Sequence, residues 1–220
     1  MIKIWDIWVR LFHWSLVITV GFLLISGETG AGFFDWHRLA GEIALALILF
    51  RLAWGIVGSS NASISALIRS PKAALTHLRD LTRRNPHQER GHNAAGGWAV
   101  FAMLLLILVQ ATTGLFISDD EGWVHGALHG IVSTDLSDSL YNLHHQVAGL
   151  IKLLVIVHIV MIAVYFVVGR QNLVKPMITG VMKWQSEKAA PEVHFGSFFI
   201  GLCLLVAAFI VAALIGGWFF

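Results

Sequence analysis

Five stretches of this chain stay apolar for about 20 residues, the helical length needed to cross a hydrocarbon core of roughly 30 Å. They run from Trp5 or Leu11 to Gly27, from His37 to Gly58, from Gly97 to Ile117, from His144 to Val168 and from Gly196 to Phe220. Backbone N–H and C=O groups in lipid must be satisfied within the protein, so such segments are expected as α-helices. None alternates with the period of a barrel strand. The composition agrees: 57% of the residues are hydrophobic and 13% charged, against about 25% charged in an ordinary soluble domain. A soluble enzyme, a disordered tail and a nucleic-acid binder are excluded. Cys203 is the single cysteine, which excludes a disulfide framework, a Cys-rich zinc site and an iron–sulfur cluster held by this chain alone. No Cys-x-x-Cys-His occurs, so covalently attached haem is not expected.

The fold class that follows is an all-α integral membrane protein of five transmembrane helices. The first span does not read as a cleavable signal. His13 and the cluster Trp5, Trp8 and Trp14 interrupt the expected apolar core, and no small-x-small site follows Gly27. Orientation follows from Lys and Arg. Lys3 and Arg10 precede span one. Arg69, Lys72, Arg79, Arg83, Arg84 and Arg90 lie between spans two and three, and Arg170, Lys175, Lys183 and Lys188 between spans four and five. The alternate loops hold Glu28, Asp35, Asp119, Asp120, Glu121, Asp135 and Asp138, with no Lys or Arg. A bacterial inner-membrane protein with a cytoplasmic N-terminus and a periplasmic C-terminus is therefore expected. From Ile64 to Arg84, leucines alternate with basic residues as in a membrane-surface helix, broken near Pro71.

Ionisable residues within spans are rare and point to function. His13 lies near the inner end of span one, and His37 opens span two on the outer side. His144 opens span four on the outer side, and His158 lies deeper in it. Fourteen residues bring His158 to within about 40° of His144, about 21 Å along the axis. His145 matches that face less well. A single such histidine is more simply a polar side chain bonded across helices. Four at matched depths suit two stacked haems, with His37 and His144 as the outer ligand pair and His13 and His158 as the inner one. Gly21, Gly41, Ala148 and Gly149 supply small neighbours. Arg10, Arg38 and Arg51 are candidate partners for haem propionates, since Arg suits carboxylates. Arg10 is otherwise a cytoplasmic anchor, and Arg38 an i,i+4 partner of Glu42.

The motifs Arg10-Leu11-Phe12-His13-Trp14, Trp36-His37-Arg38-Leu39-Ala40-Gly41, Leu49-Phe50-Arg51-Leu52-Ala53-Trp54-Gly55, Gly91-His92-Asn93, Leu143-His144, His158-Ile159 and Asn172 to Gly180 occur in that order. As a set, spanning about Ile4 to Lys183, they resemble the bacterial cytochrome b561 / nickel-hydrogenase cytochrome b family. The resemblance implies a di-haem b-type cytochrome with a four-helix haem core and bis-histidine ligation. The family's ligand positions fall on His13, His37, His144 and His158. Ala94 stands where the family often has Pro, and His145 where it often has an acidic residue. The haem core is expected over residues 1–183, with a basic cytoplasmic loop. Residues 184–220 are expected to form a linker and a C-terminal helix.

Other histidines were weighed separately. His125 and His129, spaced i,i+4 in an expected short outer helix from Gly122 to Val132, can share a metal or form a lid over the outer haem. His92 and Asn93 can line a quinone pocket or cap span three. His77, His87 and His194 are expected to be solvated. The function expected is one-electron transfer through two haems b between the quinone pool and a periplasmic redox partner, a c-type cytochrome or an enzyme subunit. That partner would dock on the acidic run Asp119-Asp120-Glu121. A superoxide/quinone oxidoreductase of the same fold is one alternative, and a haem-free membrane metal permease is another.

Overall fold

The computed structural model describes residues 1–29, 31–82, 89, 91–118, 124–184 and 192–219. Within them are seven helices: α1 (Ile7–Ser26), α2 (Phe34–Val57), α3 (Pro71–Thr82), α4 (Ala94–Gly114), α5 (Thr134–Val167), α6 (Val174–Thr179) and α7 (Phe198–Gly216). Helices α1, α2, α4, α5 and α7 are long and apolar enough to cross a membrane. The chain is thus an all-α, multi-pass membrane protein. Of these five, α2 is the most enclosed, with 61% of its apolar window buried against 11% in α5. Leu150, Leu153, Ile156, Val157, Ile159 and Val160 are exposed on α5. That surface is at home only against lipid tails.

Helix α5 begins ten residues before the expected start at His144. Its first turns, Thr134 to Leu143, carry Asp135 and Asp138 and fail a hydropathy test. They are helical all the same, and Asp135 complements the helix N-terminus. Pro71 opens α3 where a break was expected. It sits at the first helical position, where its missing N–H costs nothing, and the Ser70 hydroxyl accepts from Ala73 N at 3.3 Å. The expected outer helix from Gly122 to Val132 is not α-helical among the described residues. An antiparallel bridge joins Ser118 and His125, and His129–Ile131 form one 3-10 turn. His77 is a further correction. It is 8% exposed, and its Nε2 lies 2.6 Å from the Tyr165 hydroxyl. The sequence around it looks polar and solvated, but α3 turns this residue inward. Arg83, Arg84, His87, Arg90, Lys188 and the run Asp119-Asp120-Glu121 lie outside the described residues.

The chain divides into two compact units. The first comprises Met1–Leu11, Arg51–Met103 and Leu154–Gly201. Its ends are tied by polar contacts. β1 (Ile2–Lys3) pairs antiparallel with β2 (Val181–Met182), and Ile4 N donates to Gly180 O at 2.8 Å. Gly180 ends α6 at φ 80°, a left-handed setting that favours glycine. Arg10 donates to Ile178 O at 2.7 Å, and Asn61 Nδ2 to Ile4 O at 2.8 Å. Asp6 caps α1: its Oδ1 accepts from Val9 N at 2.7 Å, while its Oδ2 accepts from the Trp54 indole at 3.2 Å. Trp54 and Leu67 are almost wholly buried. A Cβ at Gly97 would stand 2.2 Å from Leu67 O, so this close approach of α4 requires glycine.

The second unit comprises Phe12–Phe50, Leu104–Leu153 and Leu202–Phe220. Ala46, Ile48 and Phe50 of α2 form its interior. Ser137 joins the segment after α4 to the start of α5. Its hydroxyl accepts from Ser118 N and donates to Phe116 O, both at 3.1 Å. The Trp218 indole, just past α7, donates to Glu42 Oε2 on α2.

Asp6→Ala removes a cap and leaves a buried indole N–H without its acceptor. We expect a loss of about 2 kcal/mol in stability, read as a lowered thermal midpoint in detergent. An unchanged midpoint would show that the Asp6 contacts contribute nothing.

Candidate functional site

The second unit encloses a cavity of about 470 Å³, lined by both His37 and His144. His37 stands one turn into α2, and His144 lies on α5. Their ring centroids are 6.5 Å apart, with the planes at 68°. Each ring is held from behind by a hydroxyl on a third helix. His37 Nδ1 lies 2.9 Å from Ser26 Oγ at the end of α1, and His144 Nδ1 lies 3.0 Å from Thr113 Oγ1 at the end of α4. Gly41, Ala148 and Gly149 also line the cavity. Cβ atoms at Gly41 and Gly149 would meet nothing within 4 Å, so these glycines mark open space beside the histidines. Gly21, expected to serve the same purpose near His13, likewise faces no neighbour within that distance.

Charged groups rim the same cavity. Lys152 on α5 pairs with Glu28, and Arg38 lies 3.8 Å from Glu42 at i,i+4. Glu28 lies outside the spans, and the hydrogen bond and charge of Lys152 hold its carboxyl below the usual range. Lys152, Ser26 and Thr113 were all missed from sequence. The one signal available for the last two was a hydroxyl residue followed by glycine, Ser26-Gly27 and Thr113-Gly114, ending two spans at the level of the outer histidines.

The donor set suits a metal ion between the rings. With Nδ1 of each ring occupied, Nε2 is the nitrogen left for a metal. A metal–imidazole bond is about 2.0 Å, so two of them plus roughly 1 Å from each nitrogen to its ring centre need about 6 Å between centroids. The observed 6.5 Å matches. The small residues beside the rings leave room for a flat macrocycle around such an ion.

The remaining expected residues are placed as follows. His13 lies on α1 within the second unit, and His158 lies on α5 within the first; both are half-buried. Arg51, in the first unit, is 2% exposed, and its Nη1 has no hydrogen-bond partner among the described residues. Arg10 donates to the backbone oxygens of Asp6 and Ile178. His92 packs against Trp5, with ring centroids 4.9 Å apart, and Asn93 Nδ2 donates to the Tyr165 hydroxyl at 2.9 Å. His145 stacks near Tyr141 at 4.5 Å. His125 and His129 are close, at 4.4 Å between centroids. Among the described residues no group of three or more His, Cys, Asp or Glu side chains is arranged to hold a metal ion.

The family model of prokaryotic cytochrome b561 matches residues 4–180. No curated protein and no solved structure matches the chain. The match covers all four histidines and every motif from Arg10 to Gly180. The chain belongs to the prokaryotic cytochrome b561 family, membrane b-type cytochromes that bind haem b and transfer electrons.

Proposed function

We propose that this cytochrome carries electrons across the bacterial inner membrane between the quinone pool and a periplasmic redox partner, through two haems b. His37 and His144 hold the outer haem, and His13 and His158 the inner one. The observation that carries the reading is the outer pair: two imidazoles 6.5 Å apart, both lining one cavity and both supported at Nδ1. Helix α5 runs unbroken through His144 and His158, which puts one histidine of each proposed pair on the same helix.

Haem b, when bound, supplies a one-electron iron couple. The chain's residues decide what that couple does. Two histidines on one iron would leave no open position for oxygen or substrate, which would favour electron transfer over bond chemistry. The apolar spans keep water out. Arg51 offers a buried guanidinium nitrogen with no partner among the described residues, suited to a propionate of the inner haem. Arg38 borders the outer cavity, where it is positioned for the outer haem's propionates. Arg10, beside His13 by one turn, completes the cationic set. A quinone dissolved in the lipid would reach this chain across its apolar surface.

The excess of Lys and Arg in alternate loops supports a cytoplasmic N-terminus and a periplasmic C-terminus. The opposite side carries Asp135 and Asp138, both exposed, and the run Asp119-Asp120-Glu121. A basic periplasmic partner, such as a c-type cytochrome or an enzyme subunit, would be steered there. Electron transfer to it should slow as salt is raised, since salt screens exposed charges. A rate indifferent to salt would instead favour an apolar contact.

Replacing His37 or His144 with Ala should remove one haem, about half the Soret absorbance, and leave the other. Replacing His13 or His158 should remove the second haem in turn. A His144→Ala protein that keeps both haems would overturn the outer assignment and point to His145. For topology, a reporter active only in the cytoplasm should work at Arg83 and fail at Ser133. The reverse pattern would invert the orientation.

A further inference from the structure

We propose that Ser26 and Thr113 are positioning residues that fix both the tautomer and the rotation of the two outer histidines, and so hold the ligand planes of the outer haem crossed. This rests on the assignment of His37 and His144 as its ligands.

Each hydroxyl has one hydrogen, and each has a backbone acceptor three residues earlier. Thr113 Oγ1 donates to Gln110 O at 3.0 Å, and Ser26 Oγ to Leu23 O at 3.4 Å. In the proposed arrangement that carbonyl takes the hydroxyl hydrogen, and the hydroxyl accepts from the imidazole. Both rings are then Nδ1–H donors, which leaves Nε2 as the bare nitrogen of two histidines that line the cavity. Ser26 is 4% and Thr113 5% exposed, so bulk water does not compete for these bonds.

The neighbouring glycines fix the rotation. A Cβ at Gly27 would stand 3.3 Å from Cε1 of His37, and one at Gly114 would stand 3.1 Å from Cε1 of His144. Each ring is therefore held along one edge, by a hydroxyl at Nδ1 and by bare backbone at Cε1. The same dipeptide, a hydroxyl residue followed by glycine, ends α1 and α4. Each copy grips a histidine on the next long helix, α2 and α5 respectively. The outcome is a pair of rings with planes at 68°.

The crossing has an electronic consequence. Parallel imidazole planes donate to the same iron dπ orbital and split it from its partner. Crossed planes share that donation and leave the two orbitals nearly degenerate, which makes the ferric g-tensor highly anisotropic. The partner's chemistry matters as well. A neutral hydroxyl draws less on the Nδ1 proton than a carboxylate would, leaving the ligand less basic and ferrous iron relatively favoured.

The test uses purified haem-loaded protein, low-temperature electron paramagnetic resonance and a redox titration. The wild type should show a highly anisotropic low-spin signal from the outer haem. Ser26→Ala and Thr113→Ala should move that signal toward the rhombic form of parallel planes and raise the outer midpoint. Ser26→Asp should lower the midpoint. A tenfold change in preference between ferric and ferrous iron reads as about 59 mV for one electron. The exchanges Ser26→Thr and Thr113→Ser keep the hydroxyl and should keep the wild-type signal, and they serve even if an alanine variant loses its haem. The proposal is overturned by a rhombic outer signal in the wild type. It is equally overturned if the alanine variants match the wild type in both signal and midpoint, or if the hydroxyl-keeping exchanges behave like the alanines. An outer haem that survives in both His37→Ala and His144→Ala defeats the ligand assignment itself, and this proposal with it.

Discussion

A polar side chain placed in hydrocarbon must find its partner inside the protein, because no water is present to supply one. The outer histidines show how this chain meets that demand. Each imidazole has a hydroxyl at Nδ1, and each hydroxyl has a backbone carbonyl in turn. These contacts account for one nitrogen of each ring, and both rings line one cavity. A nitrogen lone pair facing an apolar cavity is costly alone and favourable on a metal. If haem binds there as proposed, folding of the second unit should be coupled to haem uptake.

The first unit meets the same demand differently. Its charged and polar groups sit at helix ends, where one contact both satisfies a donor and fixes a chain direction. Asp6 caps α1 and accepts from the Trp54 indole; Arg10 donates to backbone carbonyls, among them Ile178 O on α6; Tyr165 gathers His77 and Asn93. Arg51 is the exception. It is buried like the others, yet one guanidinium nitrogen finds no acceptor among the described residues. The proposed function gives that nitrogen an anionic partner, a haem propionate.

The five spans were legible because twenty apolar residues in a row leave one solution in lipid. The family was legible because its motifs recur in order, and the histidines because charge or polarity within a span is rare. The supporting groups were not. Ser26 lies 11 residues from His37, and Thr113 lies 31 from His144, so both pairings arise from helix packing that no local pattern records. Lys152 hid within an apolar run and emerged only as the partner of Glu28. Hydropathy missed the first ten residues of α5, because an amphipathic turn outside the lipid is helical without being apolar. His77 looked solvated for a related reason. Its neighbours along the chain are mixed polar and apolar, while in space it is buried against the Tyr165 hydroxyl.

The proposed function turns on each haem iron being held between two imidazoles. Near-infrared magnetic circular dichroism of the oxidised protein reads that directly, since the energy of the ligand-to-iron charge-transfer band identifies the axial pair. The account predicts a single band position, that of bis-imidazole ligation, with intensity for two low-spin haems per chain. A high-spin component from an open position, or a band marking any other axial ligand, would contradict it.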